Sequence, residues 1–534
     1  MVDGQCRRFG FPIVRRRGPI PYAICQPRLI SRRFDSEQAR KWLRYCQDHH
    51  QGPCLSKPSV VTDLCLIDCR SRTVVEAPAD AEYVALSYCW GQPSILSPGW
   101  FQWTASVPSV TNQPTTTGKE GHGILQSLPK NVPAVISDAM LVTISMGYSY
   151  LWVDRYCIDQ NSLTKHTQIS QMDTIYQRAE LTIIAAAGED PSYGIPGVGL
   201  RHRRQQLTCS AGDLDFWSTM THPHRALQTS AWFKRAWTFQ EGLLSRRRLI
   251  FTDDQAYYEC ASMNCLESMD SDLDSLHTED KTKFMECLRS GFFGNNNQFT
   301  TGGFGEVLQT PTGNLGLLRQ MIEIFTDRDM TYDADSLNAF VGVLRRFEKS
   351  PTTTRSIWGL PLLCPVGNDG ADISKEADAS FMSSLAWSHE TKLNDAHELV
   401  HPRRRDGFPS WSWCGWAGSI QHMQLPPNSL LKSITLEDSS GALLTPSAYL
   451  AHVGPTQGPE LKPLALWITG IVIPPSAFSI TLKKTETGTD REMCIWGFAK
   501  AYASLSVGAW DREDVEESLM KGESRQCVCL GDCD

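Results

Sequence analysis

The sequence predicts an α/β fold, a parallel sheet flanked by helices, over residues 81–260, with a helical and then Trp-rich remainder. Two observations carry this expectation. Short apolar runs of strand length alternate with segments whose apolar residues recur every three or four positions. Polar, turn-forming residues follow the carboxyl ends of those runs, where open α/β sheets place their ligands.

The elements follow in order. Residues 1–80 mix Pro, Arg and Cys with short apolar runs such as Val60 to Ile67, and read as strands or an irregular N-terminal extension. Tyr83 to Tyr88 is the first strand of the main unit. Residues 92–127, rich in Pro, Ser, Thr, Gly and Gln, read as a long surface insertion. Val132, Val135, Ile136, Ala139, Val142 and Met146 then keep helical spacing until Gly147.

Tyr150 to Val153 is the next buried strand, and Asp154 to Asn161 a polar turn region at its end. Ile169, Met172, Ile175, Tyr176 and Ala179 line one helix face, and Leu181 to Ala187 is a strand. Phe233, Trp237, Glu241 and Leu244 share another helix face ahead of a strand at Arg248 to Thr252. An acidic stretch at Asp270 to Asp280 and a Gly/Asn-rich loop at Gly291 to Gly305 mark a boundary. Residues 261–350 read as a helical linker region, with helices at Leu315 to Phe325 and Ser336 to Phe347. Residues 351–534 form the Trp-rich region, where PSWSWCGW (Pro409 to Trp416) suits a strand with Trp411 and Trp413 packed on one face.

Composition narrows the function. A net charge of -8 gives no overall attraction to nucleic acid or anionic membrane. The Arg clusters at Arg15 to Arg17, Arg201 to Arg204, Arg246 to Arg248 and Arg403 to Arg405 read as solvated faces, so no nucleic-acid partner is expected. There is neither a secretory h-region nor an apolar run long enough to span a bilayer; Leu464 to Ile473 stops at Pro474. A cytoplasmic location is expected. The 18 cysteines then read as reduced thiols, mostly small buried hydrophobes, and Cys527, Cys529 and Cys533 lack a nearby fourth ligand, so no metal is expected.

Four ordered segments dominate the chain: YVALSYCWG, YLWVDRYCIDQ, QISQMDTIYQRAELTIIAAAG and SAWFKRAWTFQE, between Tyr83 and Glu241. They resemble the heterokaryon incompatibility (HET) domain of fungal proteins, whose pattern runs ALSY-x-WG, WVD-x-x-CIDQ and R-x-WT-x-QE; these fall at Ala85 to Gly91, Trp152 to Gln160 and Arg235 to Glu241. The downstream text at Asp335 to Leu344, Gly359 to Pro361 and Pro409 to Trp416 resembles regions that follow HET domains. Where the commoner family text reads WVD-A-L-CIDQ, this chain has Arg155 and Tyr156.

The HET domain is in turn distantly similar to the Toll/interleukin receptor (TIR) domain, a flavodoxin-like α/β fold. Ser87 and Tyr88 match a TIR strand that ends in Ser before an aromatic residue. Trp237 and Glu241 match the spacing of the TIR helix text W-C-x-x-E-L, whereas Thr238 and Gly242 replace its Cys and Leu. In TIR domains that hydrolyse NAD this helix Glu is catalytic, so the resemblance implies Glu241 as the catalytic residue. NAD would be its substrate, and no cofactor is expected.

A single carboxylate can orient the nicotinamide riboside and stabilise the oxocarbenium-like centre formed as nicotinamide leaves. Ser87, Tyr88, Trp90, Asp154, Arg155, Asp159, Arg235 and Trp237 are the candidate substrate contacts. Trp237 can wall the site, Asp154 and Asp159 can meet a ribose hydroxyl or a pyrophosphate-bound cation, and Arg155 can meet a phosphate. Each has a structural alternative: Asp154 and Asp159 as turn formers, Trp237 as core, Glu241 paired with Arg235. Cys89 and Cys157 carry no nucleophile signature, and P-loop, dinucleotide-fingerprint and zincin motifs are absent. The family role implied is self/non-self recognition that triggers programmed cell death, with an incompatible allelic or non-allelic protein as partner and self-assembly. The alternatives are a non-enzymatic signalling or oligomerisation module, or a paralogue without an incompatibility role.

Overall fold

A computed structural model describes residues 12–16, 24–55, 60–91, 124–159, 165–218, 220–285, 288, 291–293, 311–349, 354–364, 370–390, 392–393, 399–400, 402–423, 433–438, 440–453, 465–469, 472–473, 478–485, 488–495 and 527–528. The chain divides into two units, residues 1–306 and 307–534.

The first unit is built on a nine-stranded sheet. Its strands are β1 (Cys65–Asp68), β2 (Thr73–Glu76), β3 (Tyr83–Ser87), β4 (Ile124–Ser127), β5 (Tyr150–Trp152), β6 (Leu181–Ala185), β7 (Arg247–Phe251), β8 (Ala256–Cys260) and β9 (Asn264–Leu266). Their spatial order is β9-β8-β7-β6-β3-β5-β1-β2-β4. The pairs β7–β6, β6–β3 and β3–β5 are parallel, with Ala85 opposite Trp152 and Ser87 opposite Ile184. Antiparallel strands extend both sides, so the expected parallel sheet is the centre of a mixed one. The reason is local: the tight connections of β1 to β2 and of β7 to β8 permit only antiparallel pairing.

Every residue of β3, β6 and β7 is buried, as expected of parallel strands covered on both faces. Within the parallel block the chain visits β3, then β5 on one side, then β6 and β7 on the other. This reversal opens a crevice at the carboxyl ends beside β3.

Six helices of this unit matter here: α1 (Ser36–His49), α2 (Ala134–Ser145), α3 (Asp154–Cys157), α4 (Met172–Arg178), α5 (Ala231–Lys234) and α6 (Ala236–Leu244). The stretch read as strand or irregular extension in fact contains α1, whose Ala39, Trp42, Leu43 and Cys46 are buried. Asp35 caps it, accepting from the N–H groups of Glu37 and Gln38. The turn after β5 closes into the single turn α3. Residues 92–123 of the insertion, Gln160 and Asn161, and Cys529 and Cys533 lie outside the described residues.

The Arg246–Arg248 triplet is a correction, since all three side chains are buried rather than solvated. Alternation along β7 sends Arg247 and Arg248 to opposite faces. Arg247 Nε donates to Cys46 Sγ of α1 (3.2 Å), and Arg246 and Arg247 pair with Glu180 (3.3 and 3.2 Å). Arg248 donates to the carbonyls of Gly242 and Leu243 (2.9 Å for the latter) at the end of α6. A cation there meets the unpaired carbonyls of a helix C-terminus. A central strand leaves no solvated face for three arginines to reach. Arg203 of the second cluster is likewise buried, paired with Glu267 at 2.8 Å, and Arg405 of the last is buried as well.

In the second unit, α7 (Pro311–Thr326), α8 (Val341–Glu348) and α9 (Gly370–Ser384) surround the hairpin β10 (Thr354–Ile357) and β11 (Leu360–Leu363). PSWSWCGW is not a strand through both tryptophans: Trp413–Gly415 is a 3-10 turn. The packing role stands, because Trp413 is fully buried, edge-on to Phe325 and Phe340, and its Nε1 donates to Gly359 O at 3.0 Å. Gly359 has φ +81°, and a Cβ there would lie 2.5 Å from the Trp413 ring. No helix among the described residues is long and apolar enough to cross a membrane.

Candidate functional site

Ser87 ends β3, Asp154 follows β5 at the start of α3, and Glu241 lies on α6, which packs over β3 and α4. The carboxyl ends of two adjacent parallel strands therefore meet one helix face. Ser87 Oγ donates to Glu241 Oε2 and accepts from Trp232 Nε1 at 2.7 Å. The Tyr176 hydroxyl of α4 donates to Leu86 O at 3.1 Å and also lies against the Glu241 carboxyl. Glu241 is only 5% exposed.

Burial, with the neighbouring Asp154 adding to it, pushes the Glu241 carboxyl from its ordinary 4.5 up to about 7; the Ser87 hydroxyl and Arg235 oppose this. Burial likewise pushes Asp154 up to about 6, against the stabilising Arg155 N–H (2.7 Å), Trp90 Nε1 (2.9 Å) and Arg235. The two acids share the field of Arg235, and Asp154 raises the proton affinity of Glu241. Two buried acids with raised proton affinity, moderated by Arg235, suit proton transfer and the stabilisation of a developing cation.

The remaining predicted residues divide into those the fold gathers and those it does not. Tyr88 is buried beside Asp154, and its hydroxyl has no hydrogen-bond partner among the described residues. Trp90 and Arg155 hold Asp154, and Arg235 N-caps α6 within the field of both carboxyls. Trp237 is half-buried and packed against the core. Asp159 stands apart: its N–H donates to Gln168 Oε1 at 3.3 Å, and its charge bears on Cys65. Trp232 and Tyr176 contribute contacts that sequence reasoning missed, although both lie inside the quoted segments. Spacing put Tyr176 on a helix face and gave no role to Trp232; only the packing of α4 and α5 on β3 brings them to Ser87 and Glu241.

A cleft of about 560 Å³ opens at the carboxyl ends of β6 and β7, lined by Gly188, Glu189, Asp190, Arg204, Ser230 and Asp253 among others. The volume suits a small-molecule ligand. It does not reach Glu241. The partition is α5, capped by Ser230 (Oγ to Phe233 N, 3.1 Å): Ala231 lines the cleft, while the next residue, Trp232, covers Ser87. Gly242 permits this covering, since a Cβ there would come within 2.8 Å of the Trp232 ring.

These features define an open-sheet α/β domain with its candidate site where the chain reverses direction beside β3. Residues 83–241 match the family model described as "Heterokaryon incompatibility protein (HET)", and this segment is a heterokaryon incompatibility domain. No curated protein and no solved structure matches the chain. The domain marks the protein for a role related to heterokaryon incompatibility.

Proposed function

We propose that this chain is a cytoplasmic protein of fungal self/non-self recognition, and that its HET domain is a latent NAD-cleaving unit triggering programmed cell death. The observation that carries this reading is the pairing of Glu241 with Asp154 at the ends of adjacent parallel strands, with both carboxyls raised in proton affinity. The order of the parallel strands, second-first-third-fourth, is that of flavodoxin-like sheets and supports the TIR-like reading.

In the reaction, the bond between the nicotinamide nitrogen and ribose C1′ breaks and nicotinamide leaves with the electron pair. Ionised Glu241 stabilises the positive charge left at C1′. Water adds to C1′ and gives its proton to a carboxylate, for which Asp154 is placed. With α5 in place the site is closed. Contact with an incompatible partner, or self-assembly, would have to withdraw Trp232 and join the cleft to Glu241.

A second reading, a non-enzymatic signalling or oligomerisation module, draws support from the cleft itself. Among the described lining residues, Glu189, Asp190, Asp253 and Asp254 face Arg204 alone, which disfavours a pyrophosphate. The deciding experiment is NAD consumption by the purified chain at high concentration, beside Glu241→Gln and Trp232→Ala. Turnover that disappears in the first and rises in the second, increasing with pH through about 7 as Glu241 ionises, is expected of the latent enzyme. No turnover in any assembled state leaves the signalling module.

A further inference from the structure

Away from the carboxylates, on the other face of the sheet, three cysteines and a histidine converge. Cys46 lies in the last turn of α1, His50 caps that helix, Cys54 ends the following 3-10 turn, and Cys260 ends β8. One ligand-type atom from each lies within 4.8 Å of all the others, and exposures run from 0% at Cys46 and Cys54 to 1% at His50 and 2% at Cys260. No disulfide joins these cysteines.

Two donors point into the cluster. Arg247 Nε donates to Cys46 Sγ (3.2 Å) and the Ser262 N–H to Cys260 Sγ (3.5 Å). His50 is oriented by a relay. His277 Nδ1 donates to Leu273 O (2.6 Å), which makes its Nε2 the acceptor for His50 Nε2–H (3.0 Å). His50 Nδ1 faces the sulfurs, 3.3 Å from Cys260 Sγ. A histidine whose outer N–H is fixed by a second acceptor is the usual arrangement of a metal ligand.

We infer that Cys46, His50, Cys54 and Cys260 form a structural Cys3His zinc site. Bond lengths of about 2.3 Å to sulfur and about 2.0 Å to nitrogen put ligand atoms of a tetrahedral site roughly 3.5–3.8 Å apart, a small contraction of the observed cluster. Soft thiolates with one imidazole select zinc over calcium or magnesium. All four positions come from protein, leaving none for water or substrate, so the ion is structural and not catalytic. Three thiolates and the ion carry one net negative charge, which the single net positive charge of buried Arg246, Arg247 and Glu180 balances. Binding releases the thiol protons and ties α1 to the end of β8.

The test is the metal content of the purified full-length chain, with cobalt substitution as a second readout. About one zinc per chain is expected, and cobalt should give a sulfur-to-metal charge-transfer band together with the strong visible bands of a tetrahedral ion. Cys260→Ser should lose the metal, while Cys265→Ser, a buried cysteine outside the set, should keep it. The wild-type measurement decides even where a variant fails to fold. Folded wild-type protein without metal and without a cobalt–thiolate band, or with a disulfide among the three cysteines, overturns the proposal.

Discussion

Glu259 and Glu241 are both buried glutamates of the same unit, yet their surroundings differ. Glu259 accepts the Phe292 N–H (2.7 Å), the Phe293 N–H and the Tyr257 hydroxyl (2.8 Å), with the Arg248 charge nearby. Burial raises this carboxyl too, but three donors and the Arg248 charge oppose it, the pattern of a group that holds structure together. Glu241 has the Ser87 and Tyr176 hydroxyls, no backbone N–H, and another acid beside it. Burying a charge next to a like charge works against folding. The contrast teaches that burial alone does not mark a site; burial beside a second acid does.

The largest effect should break the structural side of this comparison. Glu259→Ala strands two buried N–H groups and leaves Arg248 without its counter-charge, at a cost of about 3–5 kcal/mol. Urea unfolding should show that loss at every pH where the protein folds.

On the other side, Glu241→Gln should stabilise. Its folded carboxyl titrates at about 7 against an ordinary 4.5, so the native state holds the proton more tightly. The associated stability is fully present below about 4.5 and is lost as pH rises through about 7. The shift amounts to about 3 kcal/mol at 1.36 kcal/mol per pH unit. Glu241→Gln should thus match wild type near pH 4 and exceed it at pH 8, by an amount approaching that figure. Parallel stability curves for the two proteins would remove the claim of a costly ionised carboxylate.

Smallest is Ser87→Ala, which removes the hydroxyl that donates to Glu241 and accepts from Trp232. A loss of about 1 kcal/mol is expected at pH 6. The Ser87 hydrogen bond lowers the Glu241 titration, so its removal should move the midpoint of the pH–stability curve upward; an unmoved midpoint would show that Ser87 does not tune this acid.

Much of the fold was legible because β3 and β6 are short, mostly apolar runs, and β7 ends in one, between helix-period segments. The buried arginine triplet was not. Charge patterning assumes a solvated face, and only the placement of β7 between β6 and β8 denies it one. α1 escaped notice because its charged and polar face outweighs a narrow stripe of Ala39, Trp42, Leu43 and Cys46. For the carboxylate site, Ser87, Asp154 and Glu241 came from family text, whereas α5 as a partition depends on tertiary packing. For the thiol cluster, the spacing Cys46-x3-His50-x3-Cys54 stood in the sequence, but its fourth member is more than 200 residues away.

That separation bears on how the chain is made. Trp42 of α1 packs on Tyr258 of β8, and Cys46 receives the Arg247 donor, so α1 has its partners only after the last strands of the sheet have left the ribosome. Until then its apolar stripe stays uncovered, a long-lived exposure of the kind that favours chaperone capture and slow, late consolidation. The segment from Tyr83 to Glu241, expressed alone, would lack α1, β1, β2 and β7 and should behave as an unfolded or aggregating fragment rather than as an independent domain.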